Sequence, residues 1–296
     1  HYWKGASGGT DCIVLTNVTK QMMDDNAFNL FYEEGYWHAD ERQQVVDDGL
    51  RLGTMLGRKL KVRSEETTTK WNRLPKGKID KRMIAGLGFG AENVFSQSFT
   101  EKYNSANLHL SIDASGSMSG NKWTNAMTTA IAIAKAATMA GNIHVQISFR
   151  TTTEVSAKEV PVIVIGYDSR KDKISKIKNL FSRFIRLGVT PEGLCFEAIR
   201  KHIVSTQGVD SFFVNLSDGE PWFCNKEIDY SGQEAYKHTA NEVKRMKDMG
   251  IKVLSYFIGR EMCSGFKTMY GPDAESINTT NLFELAKSLN EMFLTK

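Results

Sequence analysis

Residues 108–118 read Leu-His-Leu-Ser-Ile-Asp-Ala-Ser-Gly-Ser-Met, an apolar strand that runs directly into a polar turn. The turn presents the carboxylate of Asp113 and the hydroxyls of Ser115 and Ser117, each separated by one residue. These are hard oxygen donors of the kind that Mg²⁺ prefers, although Mg²⁺ takes about six ligands and commonly keeps waters or shares a ligand with its partner. One carboxylate and two hydroxyls carry too little charge to enclose a divalent ion, so the pattern indicates a site that other groups complete.

Two later segments supply candidate groups for the same site. Residues 212–221 form a second buried-type strand that ends in Ser-Asp-Gly and delivers the carboxylate of Asp218. Residues 188–193 form a loop leading into a helix and offer the hydroxyl of Thr190. Because ligands of open α/β sheets bind outside the carboxyl ends of the strands, we expect these loops to meet there. The predicted ion is Mg²⁺, with Mn²⁺ or Ca²⁺ as alternatives, and its predicted ligands are Asp113, Ser115, Ser117, Thr190 and Asp218.

Strands and helices alternate along the second part of the chain. Apolar runs predict strands at 108–112, 144–149, 160–165, 212–216 and 251–258, and helical periodicity predicts helices at 123–140, 171–187, 192–206, 233–249 and 281–294. Pro161, near the start of its strand, favours a position at the sheet edge. Strands separated by helices require crossover connections, so the expected fold is α/β, with a Rossmann-like, mainly parallel central sheet flanked by helices.

The first hundred residues have a different pattern, which predicts a helix at 39–61, a polar linker or extended segment at 64–78 and a short helix at 80–87. We therefore divide the chain into a mostly helical or irregular region at 1–100 and a second domain at 101–296. Residues 58–82 hold ten Lys or Arg against three acidic residues. A solvated basic linker is the favoured interpretation; an acidic protein or RNA is the alternative. Trp71 is the lone aromatic residue of this stretch, so nucleic acid is disfavoured as a partner.

Composition places the chain among ordinary globular proteins, with 296 residues, 41% hydrophobic and 24% charged. No apolar run approaches the roughly 20 residues that span a membrane, so we expect no membrane partner. The four cysteines lie far apart without a C-x-x-C pair, which favours reduced thiols in the cytoplasm. His109 alternates with apolar residues and is interpreted as a hydrogen-bonded core histidine. Glu192 and Glu220 lie near the predicted ion in the sequence, and a supporting role beside its ligands is one interpretation of either. For Glu192 the favoured interpretation is a helix-start carboxylate, because acidic residues are stabilised at helix N-termini.

The combination of Asp-Ala-Ser-Gly-Ser at 113–117, Gly-Val-Thr at 188–190 and Leu-Ser-Asp-Gly at 216–219 resembles a von Willebrand factor A (vWA) domain with a metal-ion-dependent adhesion site. The resemblance implies that Ser115, Ser117 and Thr190 bind the ion directly or through water. It implies that Asp113 and Asp218 act mostly through water, and that a carboxylate of the bound partner supplies the last ligand. All five positions match that pattern.

Within the vWA family, residues 60–296 most resemble the C-terminal domain of CobT-type cobaltochelatase subunits. The matching segments are 76–82, 216–221, 256–259, 266–270 and 281–293. The resemblance implies a ring-forming AAA+ ATPase of the MoxR or CobS type as partner, in a bacterial or phage-infected cell. The long acidic region that such subunits often carry is not in this sequence, and the Thr190 loop is a better ion ligand than the loop expected in CobT.

Three functions follow as hypotheses. The first is a non-catalytic, Mg²⁺-dependent module that captures an acidic side chain of a partner protein. The second is a CobT-like subunit of a cobalt or magnesium chelatase, which is not catalytic alone. The third is an RNA-binding vWA protein of the Ro type, supported by the basic stretch. A Ser-His-Asp hydrolase is disfavoured by the lack of a Gly-x-Ser-x-Gly motif and of a histidine placed to act as base.

Overall fold

A computed structural model describes residues 2–5, 8–33, 39–64, 67–101, 105–206, 208–259 and 262–277. The strands are β1 (Tyr2–Gly5), β2 (Gly8–Asp11), β3 (Ile13–Leu15), β4 (Thr67–Leu74), β5 (Lys78–Ile79), β6 (Phe95–Glu101), β7 (Ala106–Asp113), β8 (Ile143–Val155), β9 (Lys158–Asp168), β10 (Asp210–Ser217), β11 (Phe223–Cys224), β12 (Asp229–Tyr230), β13 (Ile251–Ile258) and β14 (Ala274–Ile277). The helices are α1 (Lys20–Asp25), α2 (Ala39–Ser64), α3 (Ile84–Leu87), α4 (Asn121–Ala140), α5 (Ser175–Leu180), α6 (Glu192–Ile199), α7 (Gly232–Asp248) and α8 (Ser264–Tyr270). The helix predicted at 281–294 lies outside the described residues.

The central sheet has seven strands in the order β14-β13-β10-β7-β8-β9-β3. Neighbouring strands are parallel except for the β8–β9 pair, which is antiparallel. This confirms the predicted α/β fold with a mainly parallel sheet. From β7 the chain proceeds to β8 and β9 on one side and then returns to β10 on the other. The strand order therefore reverses between β7 and β10, which is where open α/β sheets bind ligands.

Of two predictions about strands, one is confirmed and one is wrong. The strand predicted at 251–258 has those bounds as β13. Pro161, however, lies in β9, which is not the outermost strand, because β3 pairs with it from Val162 to Val164. Since pairing with β3 begins one residue after Pro161, its missing N–H removes no hydrogen bond from that ladder.

The amphipathic stretch 171–187 forms a much shorter helix than its periodicity predicts. Helix α5 covers six residues, Ser175–Leu180. Beyond it, the Ile185 N–H donates to the Leu30 carbonyl at 2.9 Å, and Phe184 forms an isolated antiparallel bridge with Phe31. These backbone bonds to the N-terminal segment replace the helical ones, while Phe184 itself remains in the core. The helix predicted at 192–206 likewise ends early, at Ile199, and continues as a short 3₁₀ turn.

Helix α2 packs against α4 through glycines spaced four residues apart, namely Gly49, Gly53 and Gly57. A Cβ atom on Gly53 would lie 2.6 Å from the Ala132 carbonyl oxygen and 2.6 Å from the Lys135 Cβ. The two helix backbones are therefore too close for any side chain at this position. α4 borders the candidate site, so this contact also fixes the helix that follows the Asp113 loop.

Replacing Gly53 with alanine is expected to destabilise the protein by about 1–3 kcal/mol, the usual cost of overpacking a tight contact. The added methyl group meets backbone atoms of α4, which cannot rotate away. Urea denaturation measures the change. Gly88→Ala is the matched control, because its Cβ would meet only the Ala85 carbonyl oxygen, at an ordinary 3.6 Å. Equal stabilities of the two variants would contradict the close α2–α4 contact.

Residues 67–101 include a three-stranded antiparallel sheet, in the order β4-β6-β5. Strand β4 lies within 64–78, where a polar linker or an extended segment is predicted. The division at residue 100 stays a prediction. Segments from both sides of it share the main hydrophobic core, since Leu30, Phe31 and Val46 pack in one cluster with Leu110 and Ile131.

His109 is buried in the interior, with its ring nitrogens 2.6 Å from Gln146 Oε1 and 2.8 Å from Ser148 Oγ, as predicted for a hydrogen-bonded core histidine. Burial lowers the pKa of His109 to about 4, so the ring is neutral.

Within the described ranges, no helix has the length and apolarity needed to cross a membrane.

Candidate metal centre

The Asp113 side chain is the fixed point of the site. It lies at the end of β7, a strand whose eight residues are all buried. Its Oδ1 accepts a hydrogen bond from the Ser115 N–H at 2.9 Å. Its Oδ2 accepts from the Thr190 hydroxyl at 3.1 Å and from the Ser217 hydroxyl at 3.0 Å. One carboxylate therefore joins the three loops that sequence analysis predicts to meet.

A second chain of contacts connects the two serines of the turn to Asp218. The hydroxyl oxygens of Ser115 and Ser117 are 2.9 Å apart, and the Ser117 hydroxyl donates to Asp218 Oδ1 at 2.8 Å. Ser115 is buried, whereas Ser117 is exposed. These side chains therefore extend from the enclosed carboxylate of Asp113 to a solvent-exposed rim at Ser117.

Backbone hydrogen bonds hold the three loops together independently of these side chains. The Gly116 N–H donates to the Gly188 carbonyl at 3.1 Å, and the Trp222 N–H donates to the Thr190 carbonyl at 2.9 Å. Gly188 has φ +61°, and a Cβ there would lie 1.8 Å from Thr152 Oγ1, so only glycine fits. The turn that delivers Thr190 therefore depends on this glycine.

All five predicted ligand residues lie in this one hydrogen-bonded group, which we call the candidate metal centre: Asp113, Ser115, Ser117, Thr190 and Asp218. Its candidate metal-ligating groups are two carboxylates and three hydroxyls, a set of hard oxygen ligands that fits Mg²⁺ or Mn²⁺. Among the described residues, no group of three or more His, Cys, Asp or Glu side chains is arranged to hold a metal. The centre differs from such clusters because three of its five residues are Ser or Thr. Metal binding by these residues stays a prediction.

Two residues of the centre's surroundings were not predicted as parts of the site. The Ser217 hydroxyl donates to Asp113, although sequence analysis singles out only its neighbour Asp218. The Lys122 ammonium donates to Asp218 Oδ2 at 2.6 Å. The signal for Lys122 is its position in the first turn of α4, five residues after Ser117, where a long side chain can reach back to the loop.

A buried ion pair lies beneath the centre. Arg150 Nη2 donates to Glu192 Oε1 at 2.8 Å and to the Leu216 carbonyl at 3.2 Å, and both side chains are fully buried. Glu192 also accepts from the Asn215 amide at 2.8 Å. Glu192 is therefore an internal counter-ion, in addition to the helix-start residue that the sequence suggests. A charged residue directly after the apolar strand 144–149 was the available signal for Arg150.

Burial and a nearby guanidinium act on Asp113 in opposite directions. Burial raises the pKa of the Asp113 carboxyl, while the nearby Arg150 guanidinium acts in the opposite direction. Burial also raises the pKa of Glu192, again opposed by Arg150. A cation beside Asp113 would favour its charged form, because an opposite charge at short range lowers a carboxyl pKa.

No protein-family model and no curated protein matches this sequence. Among solved structures, the chain is similar to the vWF domain of the type V pili tip protein Mfa5 from Porphyromonas gingivalis, at 9% identity and a TM-score of 0.49, covering 66% of this chain and 98% of that one. It is similar to manganese-loaded Plasmodium vivax TRAP, at 12% identity and a TM-score of 0.41, covering 76% and 77%.

The pilus adhesin SpaC from Lactobacillus rhamnosus GG is also similar, at 15% identity and a TM-score of 0.47 over 65% of this chain. The chain spans only about a third of SpaC, 31% of its length. The strand order and the strand directions of the central sheet define the α/β fold independently of these similarities.

Proposed function

We propose that this chain is a vWA-type protein-interaction module that binds an acidic side chain of a partner protein through Mg²⁺. The observation that carries the proposal is the convergence of three loops on one set of hard oxygens at the point where the strand order reverses. The resemblance of the three motifs to a metal-ion-dependent adhesion site supports the same assignment.

The residues of the candidate metal centre would hold the ion, which would supply positive charge and a coordination position for a carboxylate. The protein's own groups have distinct parts in this arrangement. Asp113 anchors the loops, since it accepts hydrogen bonds from all three of them. Thr190 and Ser115 orient hydroxyls from buried positions, and Ser117 lies at the exposed rim. The rim is therefore the side that an incoming side chain would approach.

The rim also offers an apolar contact for a partner. The Trp222 side chain is 49% exposed, and the Trp222 backbone is fixed to the Thr190 loop by its hydrogen bond to the Thr190 carbonyl. Tryptophan is enriched among residues that dominate protein interfaces. An acidic side chain flanked by apolar residues would therefore match both the predicted ion and its surroundings.

The proposed partner is an AAA+ ATPase, and the support for this is the resemblance to CobT-type subunits. A chelatase role would use the same centre but requires a large subunit with a tetrapyrrole site. An RNA-binding role would instead use the basic segment, where Trp71 and Lys70 are exposed on β4. Salt-sensitive RNA binding that survives EDTA would favour that last alternative.

The test is partner capture by the immobilised chain from a native extract, with Mg²⁺ or with EDTA, identified by mass spectrometry. We expect a partner that is retained with Mg²⁺, released by EDTA and absent from an Asp113→Asn column. Retention of the same proteins by wild type and Asp113→Asn, with and without EDTA, would refute the proposed function. Purified partner and chain should then reproduce the Mg²⁺ dependence.

A further inference from the structure

The Asp218 carboxylate accepts hydrogen bonds from two side chains, and one of them is a cation. Oδ1 accepts from the Ser117 hydroxyl at 2.8 Å, and Oδ2 accepts from the Lys122 ammonium at 2.6 Å. The Asp218 side chain is only 1% exposed, whereas the Lys122 side chain is 37% exposed. A carboxylate withdrawn from water needs a counter-charge, and here Lys122 provides it.

We propose that Lys122 is a built-in competitor of the metal ion: its ammonium neutralises Asp218 when the centre holds no ion, and must leave that carboxylate when an ion binds. This rests on the proposed function, because it assigns a role to Lys122 at the same centre. Lys122 thereby sets the metal affinity and couples ion binding to the release of a positively charged side chain at the rim.

The position of Lys122 suits such an exchange. It lies in the first turn of α4, and that helix is fixed against α2 by the close glycine contact, so its backbone stays in place. The side chain is a flexible four-carbon stem with a compact, well-hydrated charge, and more than a third of it already faces solvent. Movement of the ammonium into water therefore requires only rotation about side-chain bonds.

Lys122 is expected to have opposite effects in the two states of the centre: it stabilises the metal-free protein and disfavours the metal-bound form. Without metal, Lys122 stabilises the protein, since it compensates a nearly buried carboxylate. With metal, the ammonium and the ion repel each other and compete for Asp218. A residue with a merely structural role would lower both the stability and the metal affinity when it is replaced, so the two readouts separate these roles.

The experiment measures Mg²⁺ affinity by isothermal titration calorimetry and melting temperature in EDTA for wild type, Lys122→Met and Lys122→Arg. For Lys122→Met we expect Mg²⁺ affinity to increase by about tenfold or more, because a repelling charge next to the ion is removed. We also expect its melting temperature in EDTA to fall. Lys122→Arg keeps the charge and should bind Mg²⁺ within about threefold of wild type.

The matched control is Lys176→Met, which removes another lysine from an ion pair, with Asp172 at 3.0 Å, on α5. It should leave Mg²⁺ affinity unchanged. Wild-type binding of Mg²⁺ with equal or weaker binding by Lys122→Met would overturn the competitor role and leave the proposed function standing. If neither protein binds Mg²⁺, both proposals fail. If only Lys122→Met binds, the competitor role is supported and a Mg²⁺-dependent function of the wild type is not.

Discussion

Replacing Asp113 with asparagine is expected to weaken Mg²⁺ binding by about 100-fold or more, the upper end of what loss of a group around a metal commonly costs. The change removes the enclosed negative charge while keeping the size and planarity of the side chain. The asparagine Oδ1 can still accept from the Ser115 N–H, and the hydroxyls of Thr190 and Ser217 can rotate to accept from its Nδ2. Isothermal titration calorimetry in Mg²⁺ measures the loss.

A measurement of stability distinguishes the loss of a metal ligand from the loss of the folded structure. Because Asp113 is buried and burial raises its pKa, the neutral amide is tolerated there, and we expect urea denaturation in EDTA to match wild type within about 1 kcal/mol. Ser115→Ala should also lose Mg²⁺ binding with little change in stability. Wild-type Mg²⁺ affinity in both variants would show that the ion binds elsewhere.

Replacing Arg150 with methionine is expected to destabilise the protein by about 3–5 kcal/mol, because removal of one partner leaves a buried charge uncompensated. Arg150 is fully buried, and its guanidinium joins Glu192, the Leu216 carbonyl and the Ser111 hydroxyl. These contacts connect β8 with the strands that carry Asp113 and Asp218. Urea denaturation gives the magnitude.

The control is the double variant Arg150→Met with Glu192→Gln, which removes the charge of Glu192 together with that of its ion-pair partner. It should be more stable than Arg150→Met alone, since the neutral glutamine amide requires no counter-ion. A double-mutant cycle measures the coupling of the two residues. A single variant within about 1 kcal/mol of wild type would contradict the proposed importance of this pair for holding the site.

The parts of the fold that sequence predicts are those determined by local pattern. The apolar runs before Asp113 and before Asp218 form β7 and β10, and the run 251–258 forms β13. Once these strands are parallel, their carboxyl ends meet at one edge, so the residues that follow them are brought together. This is why Asp113, Ser115, Ser117 and Asp218 were predicted to meet, whereas Thr190 comes from the loop between α5 and α6.

The parts that sequence analysis missed depend on contacts between distant segments. The glycine spacing in α2 has meaning only against α4, and the early end of α5 follows from backbone bonds to Leu30. The small sheet of residues 67–101 is built from polar strands without a strong alternating pattern. The positions of Lys122 and Arg150 could be noticed in the sequence, but their partners could not be predicted, because these are charges that the tertiary fold places nearby.

The most direct measurement is anomalous diffraction from a crystal of the protein grown with Mn²⁺, which scatters strongly enough to be located without ambiguity. We expect one strong peak bordered by the hydroxyls of Ser115, Ser117 and Thr190, with Lys122 turned away from Asp218. Saturating Mn²⁺ with no peak at that position, and the Lys122–Asp218 pair still in place, would contradict the proposed metal centre.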